Sequence, residues 1–359
     1  MSSGGNPLLS FRGAGALALP DPKSERWKYS NLRAALLMQH PEVQGPDWET
    51  SGAFDFLESI DPTQKKISGT GELWDLNNRY APKVVRLFVP RHREAARPVF
   101  LSLRGAGRYV IPWRIDIEGR DGSDITIIET HTGEESYWKN GAITIRLARE
   151  AKLTHYRILE DDPFSVSTHA IHVELEQGAK YKMVSLTTGG GFTRQEFDVS
   201  LLGQDASVDL SGLTLLRGKQ LGDTTIRVDH VAPHCHSSQF FRSVLDGMSR
   251  GVYQGKIHVH QNAQKTDGYQ LSNNVILSPL AEMDVKPELE IYADDVKCSH
   301  GATTGPLDEE PMFYLRSRGL SEEAARRMLM ESFLGEVLDK VTTREAREKM
   351  QERISAWLT

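Results

Sequence analysis

Two cysteines, Cys235 and Cys298, are all that this chain of 359 residues contains. A secreted protein that depended on disulfides would carry more, so the scarcity fits a reducing compartment. It also excludes a self-contained four-cysteine metal or cluster site within one chain. Long apolar runs are missing as well: no stretch reaches the ~18 residues that a membrane-crossing helix needs. The opening MSSGGNPLLSFRGAGALALP has a short apolar patch with no basic segment before it, which argues against a signal peptide. A cytoplasmic location is expected. A basic excess is absent, since 43 Lys and Arg face 49 Asp and Glu for a net charge of -6, and this argues against a nucleic-acid binder. No GxxxxGK(S/T), GxSxG, HExxH or CxxC motif occurs. GTGELW and RGAGRY contain glycines but lack the GxGxxG spacing and the strand–helix context of a dinucleotide site.

What is present divides the chain into three textures. In residues 1–81, Ser24 can cap a helix running through Trp27, Leu32, Leu36 and Leu37 until Pro41 stops it. Phe54, Phe56, Leu57 and Ile60 suggest a further helical turn or two, so this region reads as a small, mostly helical module. Residues 82–304 change period. Ile125 and Ile127, Ile143 to Leu147, Ile171 to Leu175 and Phe197 to Leu201 all alternate at i, i+2, which is strand patterning. An apolar residue followed four positions later by alanine recurs at Ala151, Ala179, Ala206, Ala263 and Ala281, with spacings of 28, 27, 57 and 18. Small residues at such intervals suit the corners of a stacked solenoid, although the pattern alone leaves a β-sandwich equally open.

Residues 305–359 turn helical. Asp308 can cap a short helix that ends at Gly319, and Ser321 can cap a longer one. Met328, Leu329, Phe333, Leu334, Val337, Leu338 and Val341 give that helix an apolar stripe. Thr342 and Glu345 have the spacing of a capping box for a last helix, whose face is Met350, Ile354, Trp357 and Leu358. The stripe can serve the β body or a partner.

Candidate chemistry gathers late in the β region. His234-Cys235-His236 and His258-Val259-His260 each put two imidazoles on one face of a strand, and imidazole with thiolate suits zinc or iron. Without a recognised ligand spacing, hydrogen-bonded or exposed side chains are the plainer reading of these four histidines. Cys298-Ser299-His300 has Lys297 beside it and Asp294 and Asp295 before it. These neighbours pull the thiol pKa in opposite directions, so the sequence leaves its reactivity open.

The segment KPELEIYADDVKCSHGATTGPLDEEPMFYLRSRGLSEEAARRMLMESFLGEVL, residues 286–338, resembles the C-terminal signature of the SufB/SufD family of iron–sulfur cluster assembly scaffolds. GVYQGKIHVHQNAQKTDGYQLSNNVILSP and HVAPHCHSSQ, upstream, are similar to the family too. Gly301 in CSHGAT and the word ERWKYSNL (Glu25 to Leu32) place the likeness on the SufD side, since SufB proteins tend to carry glutamate at the Gly301 position. The resemblance implies a mainly β protein, a right-handed parallel β-helix core with small helical N- and C-terminal modules. It implies a non-catalytic scaffold that pairs with a SufB-like subunit through the C-terminal end of the β-helix and docks SufC, an ABC-type ATPase, on its C-terminal helices. It assigns Cys298 and His300 as metal ligands at the SufB interface, where a transient iron–sulfur cluster or iron would sit, and leaves open whether a flavin belongs to the complex. Competing readings are a SufB-like homodimeric scaffold, a β-solenoid enzyme acting on polysaccharide, and a structural zinc protein using His234, Cys235 and His236.

Overall fold

The computed structural model describes residues 8–10, 16–36, 42–52, 57–60, 72–81 and 84–359. The first elements are β1 (Leu8–Ser10), β2 (Ala16–Ala18), a 3-10 turn (Glu25–Trp27), α1 (Leu32–Ala35), β3 (Glu42–Val43), β4 (Asp47–Gly52), β5 (Leu57–Ile60) and α2 (Glu72–Tyr80). The body follows as β6 (Val84–Val89), β7 (Val99–Gly105), β8 (Tyr109–Gly119), β9 (Asp124–Gly133), β10 (Trp138–Leu147), β11 (Lys152–Glu160), β12 (Val166–Leu175) and β13 (Lys180–Thr187). It continues as β14 (Phe192–Leu201), β15 (Ser207–Leu216), β16 (Leu221–His230), β17 (His236–Leu245), β18 (Arg250–Val259), β19 (Asp267–Ile276), β20 (Glu282–Ile291) and β21 (Lys297–Gly305). Three helices close the chain: α3 (Glu309–Ser317), α4 (Glu322–Leu338) and α5 (Arg344–Leu358).

From β6 onward, even-numbered strands pair in parallel in one sheet and odd-numbered strands in the other. The chain therefore climbs as a parallel β-solenoid with two strands per coil, which settles the choice against a sandwich. Register partners on successive coils lie 26 residues apart at the closest (Val166 with Phe192) and 32 at the widest (Arg250 with Glu282). The i, i+2 alternation sends Ile115, Ile127, Ile143, Leu153, Ile171, Val173, Phe197 and Val208 into one continuous apolar core between the sheets.

Three of the alanines, Ala151, Ala179 and Ala206, mark one corner. Ahead of the odd strands from β7 to β19 the backbone passes through the left-handed region at His92, Gly122, Glu150, Gly178, Asp205, His234 and Lys265. Each of these residues donates its N–H to a carbonyl of the following coil, from His92 to Asp121 through Lys265 to Asp295. From Gly122 onward the residue after the turn is buried and small: Ser123, Ala151, Ala179, Ala206, Cys235 and Thr266. Ala263 lies three residues ahead of Thr266 and Ala281 precedes the even strand β20, so these two alanines fall outside that corner.

The two outer faces are covered by different modules. Leu19, Trp27, Leu32, Leu73, Trp74 and Leu76 pack on Val110, Trp138, Val166 and Phe192 of the even sheet. Met330, Leu334, Val337, Val341, Met350 and Ile354 pack on Ile128, Ile158, Leu186, Leu213 and Val244 of the odd sheet.

Several expected elements take a different form. The helix from Ser24 is instead the 3-10 turn and the four-residue α1, which Asn31 caps by accepting from the Ala34 N–H; Leu37 and Pro41 lie outside the described residues. Leu57 to Ile60 form a strand rather than a helical turn, pairing antiparallel with β6, while Phe54 and Phe56 lie outside the described residues. The helix α2 follows the GTGELW glycines and carries three apolar side chains to the even sheet. In α4, Met328 is exposed and Met330, about 200° further round the helix, holds the buried position. Thr343 rather than Thr342 is the N-cap of α5, because the Thr342 hydroxyl lies 3.0 Å from that of Tyr156.

Candidate functional site at the open end of the solenoid

The last coil, β20 and β21, is bonded to β18 and β19 on one side and to no other described strand on the other. Where the central strands are almost wholly buried, β20 and β21 are half-buried or exposed along their length. Met283 and Val285 still reach the apolar core, and Leu289 and Cys298 close a small cluster with Ile257, Val259, Ala263 and Ala293. Beyond them Tyr292 and Ile291 stand exposed. An unpaired parallel edge of this length presents a row of free backbone donors and acceptors.

Cys298 and His300 lie on this coil, two residues apart and hence on one face, opposite Gly268 and Gln270 of β19. The side chain of Cys298 is half-buried and His300 is exposed. Gly268 makes room for the thiol, since a Cβ there would stand 3.4 Å from Sγ. Burial raises the thiol pKa above 9.0 and Asp267 adds to that, against a smaller opposing pull from the Gly268 N–H. The neighbours that left its reactivity open in sequence do not set it: Lys265 pairs with Asp295 instead. Cys298 is therefore a protonated thiol at neutral pH in the isolated chain. Ionising it would take a nearby cation to offset its desolvation.

Beneath His300 the lumen is polar. The Gln270 side chain is fully buried with an unpartnered Oε1, and Gln239, one coil further in, accepts from the Tyr253 hydroxyl at 2.8 Å and keeps an unpartnered Nε2. Gly255 on the facing strand clears the space, because a Cβ there would meet Gln270 Oε1 at 2.4 Å. Sequence reasoning missed these glutamines. Their signal is a polar residue holding the inward phase of a strand, Gln239, Gln270 and His300 being register partners.

The other candidates separate. His234 is a corner residue with φ of 61°. Cys235 is buried, its Sγ 3.3 Å from the Gly203 carbonyl, and burial pushes the thiol up to about 11. The His236 ring sits 3.7 Å from Asp267. The three do not converge on one point, so the zinc reading of this run loses its geometry. His258 and His260 do come together, their ring centroids 4.4 Å apart, and Asp229 joins them.

A second polar assembly escaped sequence analysis because its members continue ordinary strand alternation. Glu129, His131, Lys139, His155, Arg157, Asp161 and His169 are buried in the lumen of the early coils. Glu129 accepts from Arg157 Nη2 at 2.9 Å and His155 Nε2 at 2.8 Å, and also bonds His131. Burial alone would raise this carboxyl, but Arg157 and the two imidazoles hold it well below the usual carboxylate range. Desolvation lowers the three histidines, so they are neutral. His169 has both nitrogens engaged, Nδ1 accepting from Arg157 at 3.1 Å and Nε2 meeting Ser167 Oγ at 2.9 Å. Although Glu129, His131 and His169 lie within reach of one ion, the guanidinium already fills that role. This is a buried ion-pair network in which each charge is paired, with His131 Nδ1 and Asp161 Oδ2 left without a hydrogen-bond partner.

Together these features define a class: a parallel β-solenoid with a buried ion-pair network in its early coils and, among the described residues, an unpaired last coil that carries a thiol and an imidazole. Residues 105–333 match the family model described as SUF system FeS cluster assembly, SufBD core domain. The chain is 31% identical over 288 residues to the iron-sulfur cluster assembly protein SufD of Escherichia coli, covering 78% of this chain and 68% of that one. It is 30% identical to the Arabidopsis thaliana protein ABCI7, chloroplastic, over 87% of this chain and 67% of the relative. It is also 30% identical to the SufBD family protein slr0076 of Synechocystis, over 81% and 67% respectively. The chain belongs to the SufB/SufD family of SUF iron–sulfur cluster assembly proteins.

Proposed function

We propose that this chain is a SufD-type, non-catalytic scaffold subunit that pairs edge to edge with a SufB-like subunit through β20 and β21. A nascent iron–sulfur cluster, or iron, is the cargo held at that junction, with Cys298 and His300 as this chain's ligands. The observation that carries the reading is the uncapped last coil with both residues on its inward phase. Strand addition to the bare edge would supply backbone hydrogen bonds and bury Tyr292 and Ile291. It would also deepen the burial of Cys298, which favours ligation only if the metal replaces the proton.

Docking of a SufC-type ATPase falls to the C-terminal helices. Helix α3 buries none of its residues, and Phe313, Tyr314 and Met328 are exposed apolar side chains on α3 and α4. The rest of the stripe is spent on the solenoid, so this short patch is what remains for a partner. No helix of the described residues is long and apolar enough to cross a membrane.

Co-expression with SufB-like and SufC-type subunits tests the reading. A stoichiometric complex with iron-dependent visible absorption is expected. Cys298→Ala with His300→Ala should keep the complex and lose most of the cluster yield, and undiminished yield would refute the ligand assignment. Truncation after Gly305 that leaves SufC binding intact would refute the docking surface.

A further inference from the structure

We propose that Asp229, His258 and His260 form a binding site for one divalent first-row transition ion on the outer face of the even sheet. It is separate from Cys298 and His300 and does not depend on the scaffold reading. Asp229 on β16 and His258 on β18 are register partners, and His260 follows β18 directly. One ligand atom from each of the three lies within 4.8 Å of the other two. His258 Nδ1 stands 2.8 Å from Asp229 Oδ1. Two cis ligands each about 2.1 Å from a shared ion stand roughly 3 Å apart, so this pair already has the required spacing. Tyr292 meets the His258 ring edge to face at 5.5 Å and fixes its plane.

A simple histidine–aspartate hydrogen bond accounts for His258 but not for His260. The His260 ring rests 4.4 Å from that of His258 with no hydrogen bond between them, an arrangement that a shared cation would organise. Two imidazoles and one carboxylate suit Fe2+, Co2+ or Zn2+, and three protein ligands leave open positions for water or a ligand from another molecule. Arg227 is the competitor. Its Nε lies 3.0 Å from Asp229 Oδ2 and its Nη2 3.0 Å from Oδ1, so it neutralises the carboxylate while no ion is bound. The next row holds Glu290, which Lys256 engages at 2.7 Å.

That competition gives the site a signature that a structural cluster lacks. The full chain is titrated anaerobically with Co2+, read by visible absorption, with melting curves confirming that each variant is folded. One equivalent should bind. His260→Ala and Asp229→Asn should each weaken binding by at least about tenfold. Arg227→Ala should tighten it several-fold by freeing the carboxylate. Cys298→Ser combined with His300→Ala should leave it unchanged, and added Zn2+ should displace the Co2+ signal. Affinity unaltered by His260→Ala, or lost in the Cys298→Ser, His300→Ala variant instead, overturns the proposal.

Discussion

The two ends of the solenoid are finished in opposite ways. At the start, β4 and β5 run antiparallel along β7 and β6, and β3 adds to β8. Trp48 on β4 meets Trp113 edge to face at 5.5 Å, and Gly141 leaves the space that the Trp113 indole fills. Behind this plug lies the neutralised network around Glu129. At the finish there is, among the described residues, neither reversing strand nor aromatic plug, and polar groups run from Gln239 outward to His300. A solenoid end must be capped or it will recruit a strand. One end of this molecule is closed by reversing strands, and at the other the last coil is unpaired among the described residues.

The sharpest way to break the comparison is to unbalance the filled half. Arg157→Ala strands Glu129 in the lumen and should cost about 3–5 kcal/mol, measured by urea denaturation. A loss under ~1 kcal/mol would show that water replaces the guanidinium. Removing the plug with Trp48→Ala should cost roughly 2–3 kcal/mol, somewhat below a fully buried tryptophan because its side chain is only partly enclosed.

Acid should also act on the closed interior. Burial lowers His230 from 6.5 to about 4, with His236 adding to the effect. Between those values the unfolded chain binds a proton that the folded chain refuses, so stability is full above about pH 6.5 and declines as pH falls toward 4. His131, His155 and His169 act in the same direction, and Glu129 adds a further loss below 4.5. The melting temperature should therefore drop between about pH 7 and pH 5, and a flat profile would contradict the neutral assignment of these rings.

Smaller effects sharpen the contrast. Cys235→Ala should change stability by less than about 1 kcal/mol, because three other coils already place alanine at that corner. At the open end, Tyr292→Ser should stay within about 0.5 kcal/mol for the isolated chain yet weaken pairing with a partner, a split visible only when monomer stability and complex formation are both measured.

Much of this was legible in the sequence. Strand alternation identified the β body, and Ala151, Ala179 and Ala206 marked one of its corners because a stacked coil tolerates little volume there. The capping residues Asp308 and Ser321 placed α3 and α4 correctly. The first part was less readable: its elements are two to nine residues long and follow the solenoid surface rather than a period of their own. The Glu129 network was invisible for a different reason. Inward phase can be counted along a strand, but which inward residues meet across the lumen depends on the fold of the whole coil. Cys298 and His300 could be named from a resemblance, whereas the protonated state of the thiol required the position of Asp267 and the depth of Gly268.

The corner ladder from His92 to Lys265 has one further consequence. Each coil receives its hydrogen bonds from the one before and offers the same set to the next, so every junction is interchangeable with its neighbours. The length of such a molecule is altered most cleanly by deleting or inserting one whole coil of roughly thirty residues, because a one-residue insertion within a strand would turn the side chains beyond it in that strand to the wrong face.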